Sequence, residues 1–151
     1  MGHVFSQEGP WLQVADGVLV RHYAELDQTL GVVLGDQRCL AVDTGRDEVQ
    51  GGELAAAIRE LTPLPWAVVI THAHFDHFFG TAAFLPCPVW AHTRCRAAIE
   101  SGAEQQRALW ASRYRDEGKH EVVFAGDLVE QGAPRAQQGE LKVALGAHTV
   151  P

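Results

Sequence analysis

Four side chains that commonly ligate divalent metals fall within six positions of the segment THAHFDHFFG, residues 71–80: His72, His74, Asp76 and His77. Imidazole and carboxylate groups are costly to order together unless something compensates them, and a divalent cation is the usual answer. In an extended or loop segment, side chains two apart project to the same side. His72, His74 and Asp76 are therefore expected on one side, with His77 pointing differently. Two histidines at i and i+2 can grip one ion at about 2.0–2.1 Å, which leaves Asp76 and His77 to hold a second. A structural zinc module fits poorly, because such sites tend to be closed Cys/His tetrads.

The elements around this segment must place it at an accessible edge. The apolar run Ala67-Val68-Val69-Ile70 just before it predicts a strand buried on both faces of an α/β sheet. The ligand-rich segment then sits at the C-terminal rim of that strand, where crevices form in α/β folds. Upstream, Trp11–Val14, Gly17–Val20, Thr29–Leu34 and Arg38–Val42 are short β-type runs separated by turn-like Ala15-Asp16-Gly17 and Gly35-Asp36-Gln37. They predict an antiparallel meander. Glu53–Leu61 predicts a helix with Leu54, Ile58 and Leu61 on one face, ended by Thr62-Pro63.

Downstream, Phe78–Phe84 suits a short helix and Val89-Trp90-Ala91 a strand. Thr93 is expected to cap a longer helix reaching about Tyr114, and residues 116–119 to form a loop. Val122–Ala125 predicts a further strand ending at Gly126-Asp127, and Leu141–Leu145 is a last apolar run. Strands alternating with helices after an antiparallel start predict an α/β or α+β sandwich, read as one domain over residues 1–151.

Composition excludes some partners. A formal net charge of −7 leaves no basic stripe to displace counterions from phosphates, so no nucleic-acid partner is expected. No run approaches the ~18 apolar residues of a membrane span. Cys39, Cys87 and Cys95 are odd in number and lack C-x-x-C spacing, which points to a reducing cytoplasm rather than a disulfide framework. The amino terminus shows neither a basic nor an apolar signal region, which agrees with a cytoplasmic expectation. Gly2–Ser6 fits a loose myristoylation pattern with no polybasic partner and is set aside.

The motif H-A-H-F-D-H resembles the H-x-H-x-D-H signature of the metallo-β-lactamase superfamily. Three further segments agree. Asp43-Thr44-Gly45 resembles the family's strand-ending D-T-G, Gly80-Thr81-Ala82-Ala83-Phe84 resembles its G-N-A-x-F helix, and Phe124-Ala125-Gly126-Asp127-Leu128 resembles a later strand whose Asp bridges two metals. The likeness runs from about Trp11 to Ala133. Agreement among independent segments argues against surface histidines in a solvated turn.

The resemblance implies an αββα sandwich whose second half is incomplete here, since family members are usually longer. It implies zinc, as one or two ions, with iron also compatible with His and carboxylate donors. His72 and His74 would hold the first ion, Asp76 and His77 the second, with Asp127 bridging. Asp127 read without the family is a turn cap. His148, in Gly146-Ala147-His148-Thr149, resembles the third-ligand G-H-T segment by its neighbours, but by its place after Asp127 it should be the last ligand. At least one usual ligand is missing in either placement. Asp43 is expected to orient a ligand histidine or the loop rather than to ligate.

Such a metal lowers the pKa of its bound water toward ~7 and supplies hydroxide at neutral pH. The resemblance thus implies a hydrolase acting on a small molecule through an ester, thioester, lactone or lactam bond. Asp76 is the nearest carboxylate to orient the water or pass on its proton. The competing reading is a shortened, catalytically silent relative that binds metal or a partner. An unpaired sheet face in a half-built sandwich would favour homo-oligomers. Outside the motif, His92 reads as a helix-entry residue, and His3, His22 and His120 as surface residues. The three cysteines read as small apolar fillers and the tryptophans as core or pocket wall.

Overall fold

Alternation of apolar and polar side chains over the first third of the chain produces strands with one buried face. The computed structural model describes Val4–Phe5 and residues 11–116. The expected strand at Val122–Ala125, the run Leu141–Leu145, Asp127 and His148 lie outside these residues.

Strands β1 (Val4–Phe5), β2 (Trp11–Ala15), β3 (Val18–Tyr23), β4 (Gln28–Leu34) and β5 (Cys39–Val42) pair antiparallel in chain order. Gly17, at φ +70°, makes the β2–β3 turn. There the left-handed backbone favours a residue without Cβ. The chain then crosses through helix α1 (Glu48–Leu61) to β6 (Trp66–Ile70), which runs parallel to β5. A second crossover, helix α2 (Phe75–Phe78) and a 3₁₀ segment (Phe79–Phe84), leads to β7 (Val89–Ala91), parallel to β6. Helix α3 (Thr93–Asp116) follows. The seven strands form one sheet in sequential order, antiparallel and then parallel, as the alternation of elements predicts.

The core lies on one side of the sheet. Leu19, Leu30 and Val32 are buried with Leu54 and Ile58 of α1, Val68 of β6, and the aromatic trio Phe78, Phe79 and Phe84. Arg21, buried on the same face of β3, donates to Glu53 of α1 at 2.5 Å, and Tyr23 donates to the other Glu53 oxygen at 2.5 Å. The opposite face of the antiparallel strands is apolar and open. Leu12, Val14 and Val33 are 48%, 55% and 37% exposed, although their side chains are those of a core. That pattern matches one sheet-and-helix half of an αββα sandwich. The cysteines are buried and free, as filler residues should be.

Three local expectations are corrected. Helix α1 starts at Glu48, five positions before the expected Glu53, because Asp47 caps it by accepting from Gln50 N–H at 2.8 Å. Gly51-Gly52 conceals that start, since glycine disfavours helix interiors. The helix expected at Phe78–Phe84 is instead α2 at Phe75–Phe78 followed by the 3₁₀ segment. The cap of α3 is His92, whose Nδ1 accepts from Arg94 N–H at 3.0 Å, rather than Thr93. This is the helix-entry role expected of His92.

The two glycines of α1 differ in surroundings. A Cβ on Gly51 would run into the Gly80 backbone, whereas one on Gly52 would meet nothing within 4 Å. Gly51→Ala is therefore expected to destabilise the fold by about 1–3 kcal/mol through overpacking. Gly52→Ala should stabilise it by about 0.5–1 kcal/mol. Urea denaturation of the two variants checks the pair, and equal effects would contradict the close approach of α1 to the Gly80 backbone.

Candidate metal centre

Parallel pairing of β5 and β6 brings their C-terminal ends to one rim of the sheet. Asp43 follows β5 and Thr71 follows β6, with Asp43 N–H bonded to Val69 O at 2.8 Å. Asp43 is 4% exposed and lies at φ +63°, a left-handed conformation that Asp tolerates better than most residues. This backbone turns its carboxylate across the rim. Asp43 Oδ1 accepts from Thr71 N–H at 2.8 Å, and Oδ2 accepts from Thr71 Oγ1 at 2.7 Å and His77 Nδ1 at 2.8 Å.

These bonds assign proton positions. The Thr71 hydroxyl has one hydrogen and gives it to Asp43. Its contact with His72 Nδ1, at 2.8 Å, must then be one in which the His72 Nδ1–H donates. His77 donates from Nδ1 as well. Both imidazoles are left with Nε2 as the lone-pair nitrogen, the form that binds metals. One carboxylate sets both tautomers.

The three histidines converge. The His72 ring lies 4.6 Å from His74 and 4.2 Å from His77, centroid to centroid. Asp76 Oδ2 stands 3.6 Å from His77 Nε2. Two donors that share a tetrahedral ion at ~2.0–2.1 Å stand about 3.4 Å apart, so the Asp76–His77 pair fits a common ion. Asp43, His72 and His77 also offer donor atoms within 4.8 Å of one another. Asp43 is nonetheless better placed as a support, because its two oxygens already accept three hydrogen bonds. The donor set of imidazoles with one free carboxylate suits zinc or iron.

The expected side-chain directions need correction. His72, His74 and Asp76 do not simply alternate along an extended segment, because Asp76 and His77 lie in the first turn of α2 and His74 is its N-cap. His77 consequently turns back toward His72 and joins the side expected for the other three. Charge follows the same geometry. Burial, and then the nearby His77 and His74, lower the His72 pKa. Burial also acts to lower that of His77, but the hydrogen bond and charge of Asp43, with the charge of Asp76, outweigh it and raise the pKa.

Backbone contacts hold the segment to its neighbours. Thr44 N–H donates to His77 O at 2.9 Å, Gly80 N–H to Gly45 O at 3.1 Å, and the Thr44 and Thr81 hydroxyls bond at 2.9 Å. From β4, Gln28 Nε2 donates to Asp76 O at 2.5 Å, and Gln50 of α1 in turn donates to Gln28 Oε1 at 3.0 Å. Sequence reasoning assigned no role to Thr71, Gln28 or Gln50. Thr71 was open to detection, since it directly precedes His72 at a strand end. The glutamines carry no local signal. His22 lies at the surface and bonds Asp27 at 2.8 Å, away from the rim. His3, His120, Asp127 and His148 fall outside the described residues.

The metallo-beta-lactamase superfamily profile matches residues 24–135, a span that includes every element of this rim. The chain belongs to that superfamily. Solved structures agree in fold. A metallo-beta-lactamase from Hirschia baltica is 22% identical, with TM-score 0.50, over 64% of this chain and 49% of its own. One from Erythrobacter litoralis, with beta mercaptoethanol in its active site, is 23% identical, with TM-score 0.53, over 69% and 49%. The FIM-1 metallo-beta-lactamase of Pseudomonas aeruginosa, in its mono-zinc form, is 20% identical, with TM-score 0.51, over 68% and 48%. The chain thus spans about half the length of these metallo-beta-lactamases. No curated protein matches it. Among the described residues, no helix is long and apolar enough to cross a membrane.

Removing the Asp43 charge tests the support of this superfamily rim. Asp43→Asn keeps a residue tolerant of positive φ but loses an acceptor, and is expected to cost about 1–3 kcal/mol. Asp43→Ala should cost about 1–2 kcal/mol more, because alanine is strained in the left-handed region. Urea denaturation of metal-free protein measures both. An Asn variant as stable as the parent would contradict the clamp.

Proposed function

We propose that this chain carries the metal site of a zinc-dependent hydrolase that cleaves an ester, thioester, lactone or lactam bond of a small molecule. The observation that carries this reading is the convergence of His72, His74 and His77 beside Asp76, with two tautomers set by Asp43. His72 and His74 would hold one ion through imidazole nitrogens. Asp76 and His77 would hold a second, and the family resemblance adds Asp127 and His148 as further ligands. When bound, zinc supplies Lewis acidity toward a carbonyl oxygen and a hydroxide nucleophile at neutral pH.

The chain's own residues do the rest. Asp43 and Thr71 hold the Nδ1 protons of His77 and His72, which keeps Nε2 of each ring directed to the site. Asp76, half-buried and beside His77, orients the attacking water and takes up its proton. Iron in place of zinc is compatible with the same donors. The net charge of −7 supports a small-molecule rather than a nucleic-acid substrate, and the free buried thiols fit a reducing cytoplasm.

The exposed aliphatic face of the sheet favours a second reading, a relative that binds metal or a partner without turnover. Exposed Leu12, Val14 and Val33 support self-association in that case. Elemental analysis of purified protein and assays on esters, thioesters, lactones and β-lactams separate the two. The hydrolase reading expects at least one zinc or iron per chain and turnover of one substrate class. His74→Ala should reduce kcat/KM by about a hundredfold or more, and His22→Ala should leave it unchanged. Metal without turnover selects the second reading. Protein that stays metal-free after loading would sink the hydrolase reading.

A further inference from the structure

His72 and His77 are oriented through their ring nitrogens, but His74 is not. Among the described residues, the His74 side chain makes no hydrogen bond, and the residue is exposed. Its backbone, by contrast, is held on both sides by one side chain from a distant element. Gln106 of α3 accepts from Phe75 N–H through Oε1 at 2.7 Å and donates from Nε2 to Ala73 O at 2.9 Å. Ala73 C=O belongs to the peptide plane before His74, and Phe75 N–H to the plane after it. Fixing both planes fixes the two soft dihedrals of His74, observed at φ −104° and ψ 140°.

The Phe75 amide is also one of the N-terminal donors of α2 that lack a partner within the helix, so Gln106 satisfies a group that would otherwise be lost. One turn further along α3, Trp110 stacks on Phe75 with ring centroids 4.2 Å apart at 17°. That stack holds Gln106 in register with the loop.

We propose that Gln106 is the positioning residue for His74, setting the direction of its ring toward the metal by clamping the peptide planes on either side. The inference rests on the metal-site reading above. Outer partners of metal ligands typically change affinity by roughly 10–100-fold. A carboxamide is suited to the task because it presents a donor and an acceptor side by side, matching the C=O and N–H that flank residue 74.

Cobalt(II) titration of the full chain, followed by its d–d absorption bands, tests the proposal. Gln106→Met removes both hydrogen bonds and should weaken cobalt binding about tenfold, with altered band intensities. Gln106→Glu keeps the acceptor for Phe75 N–H, loses the donor to Ala73 O, and should fall between the two. In a His74→Ala background, Gln106→Met should cost little further affinity, because the residue it positions is gone. Urea denaturation of the metal-free variants separates folding from binding. If Gln106→Met shows no cooperative transition, the Glu variant carries the same comparison. Unchanged cobalt affinity in folded Gln106 variants, or an equal loss with and without His74, would overturn the positioning role alone. A parent protein that binds no cobalt would overturn the metal-site reading, and this inference with it.

Discussion

The rim of this protein depends on one buried carboxylate. Asp43 sits where the chain leaves β5, in a backbone conformation that few residues accept, and receives hydrogen bonds from Thr71 N–H, Thr71 Oγ1 and His77 Nδ1. A buried charge is tolerable only when it is this fully hydrogen-bonded. The consequences travel outward in order. The Thr71 hydroxyl must donate to Asp43, so it can only accept from His72. With Nδ1 of both histidines engaged as donors, Nε2 of each is the nitrogen that remains for a ligand. Which imidazole nitrogens the candidate metal site offers is thus decided by a proton count around a group beneath it.

Rigid elements translate that local rule into a fixed site. β5 and β6 run parallel, so their ends meet without a turn between them, and α1 supplies the crossover that makes this possible. Helix α1 then returns to support the loop twice. Gly51 allows the Gly80 backbone to pack against it, and Gln50 holds Gln28, which holds the carbonyl of Asp76. Glycine at position 51 is poor for the helix but required for the approach. Local propensity gives way to packing here because a Cβ at position 51 would occupy the space of the neighbouring backbone.

Much of this was legible from the sequence, for physical reasons. The strands β2 to β7 announce themselves through alternation or apolar runs, and the H-x-H-x-D-H and D-T-G segments mark the rim because few other roles place such residues at strand ends. The supporting role expected of Asp43 agrees with its geometry. What could not be read was of two kinds. Gly51-Gly52 concealed the first turn of α1, since the signal for a helix is periodicity and propensity rather than the space available to a neighbour. Gln28, Gln50 and Gln106 act over separations of 48, 22 and 31 residues, and a glutamine in a strand or helix carries no mark of which distant peptide it will bind. The direction of His77 is hidden for a related reason. A two-residue alternation holds only while the chain stays extended, and α2 begins inside the motif.

The geometry of the rim and the completion of the sheet are separate physical problems. Among the described residues, the groups seen to orient His72, His74, Asp76 and His77 lie between Gln28 of β4 and Gln106 of α3, within a chain spanning about half the length of the metallo-beta-lactamases it resembles. The open face that carries Leu12, Val14 and Val33 takes no part in those contacts. Covering it would add stability at roughly 25 cal/mol per Å² of apolar surface removed from water. It would not alter which nitrogen of His72 or His77 bears a proton, because Asp43 and Thr71 decide that from inside the sheet-and-helix layer. The orientation of the His72 and His77 rings therefore follows from hydrogen bonds already closed within this half, while covering the aliphatic face bears on the stability of the folded state.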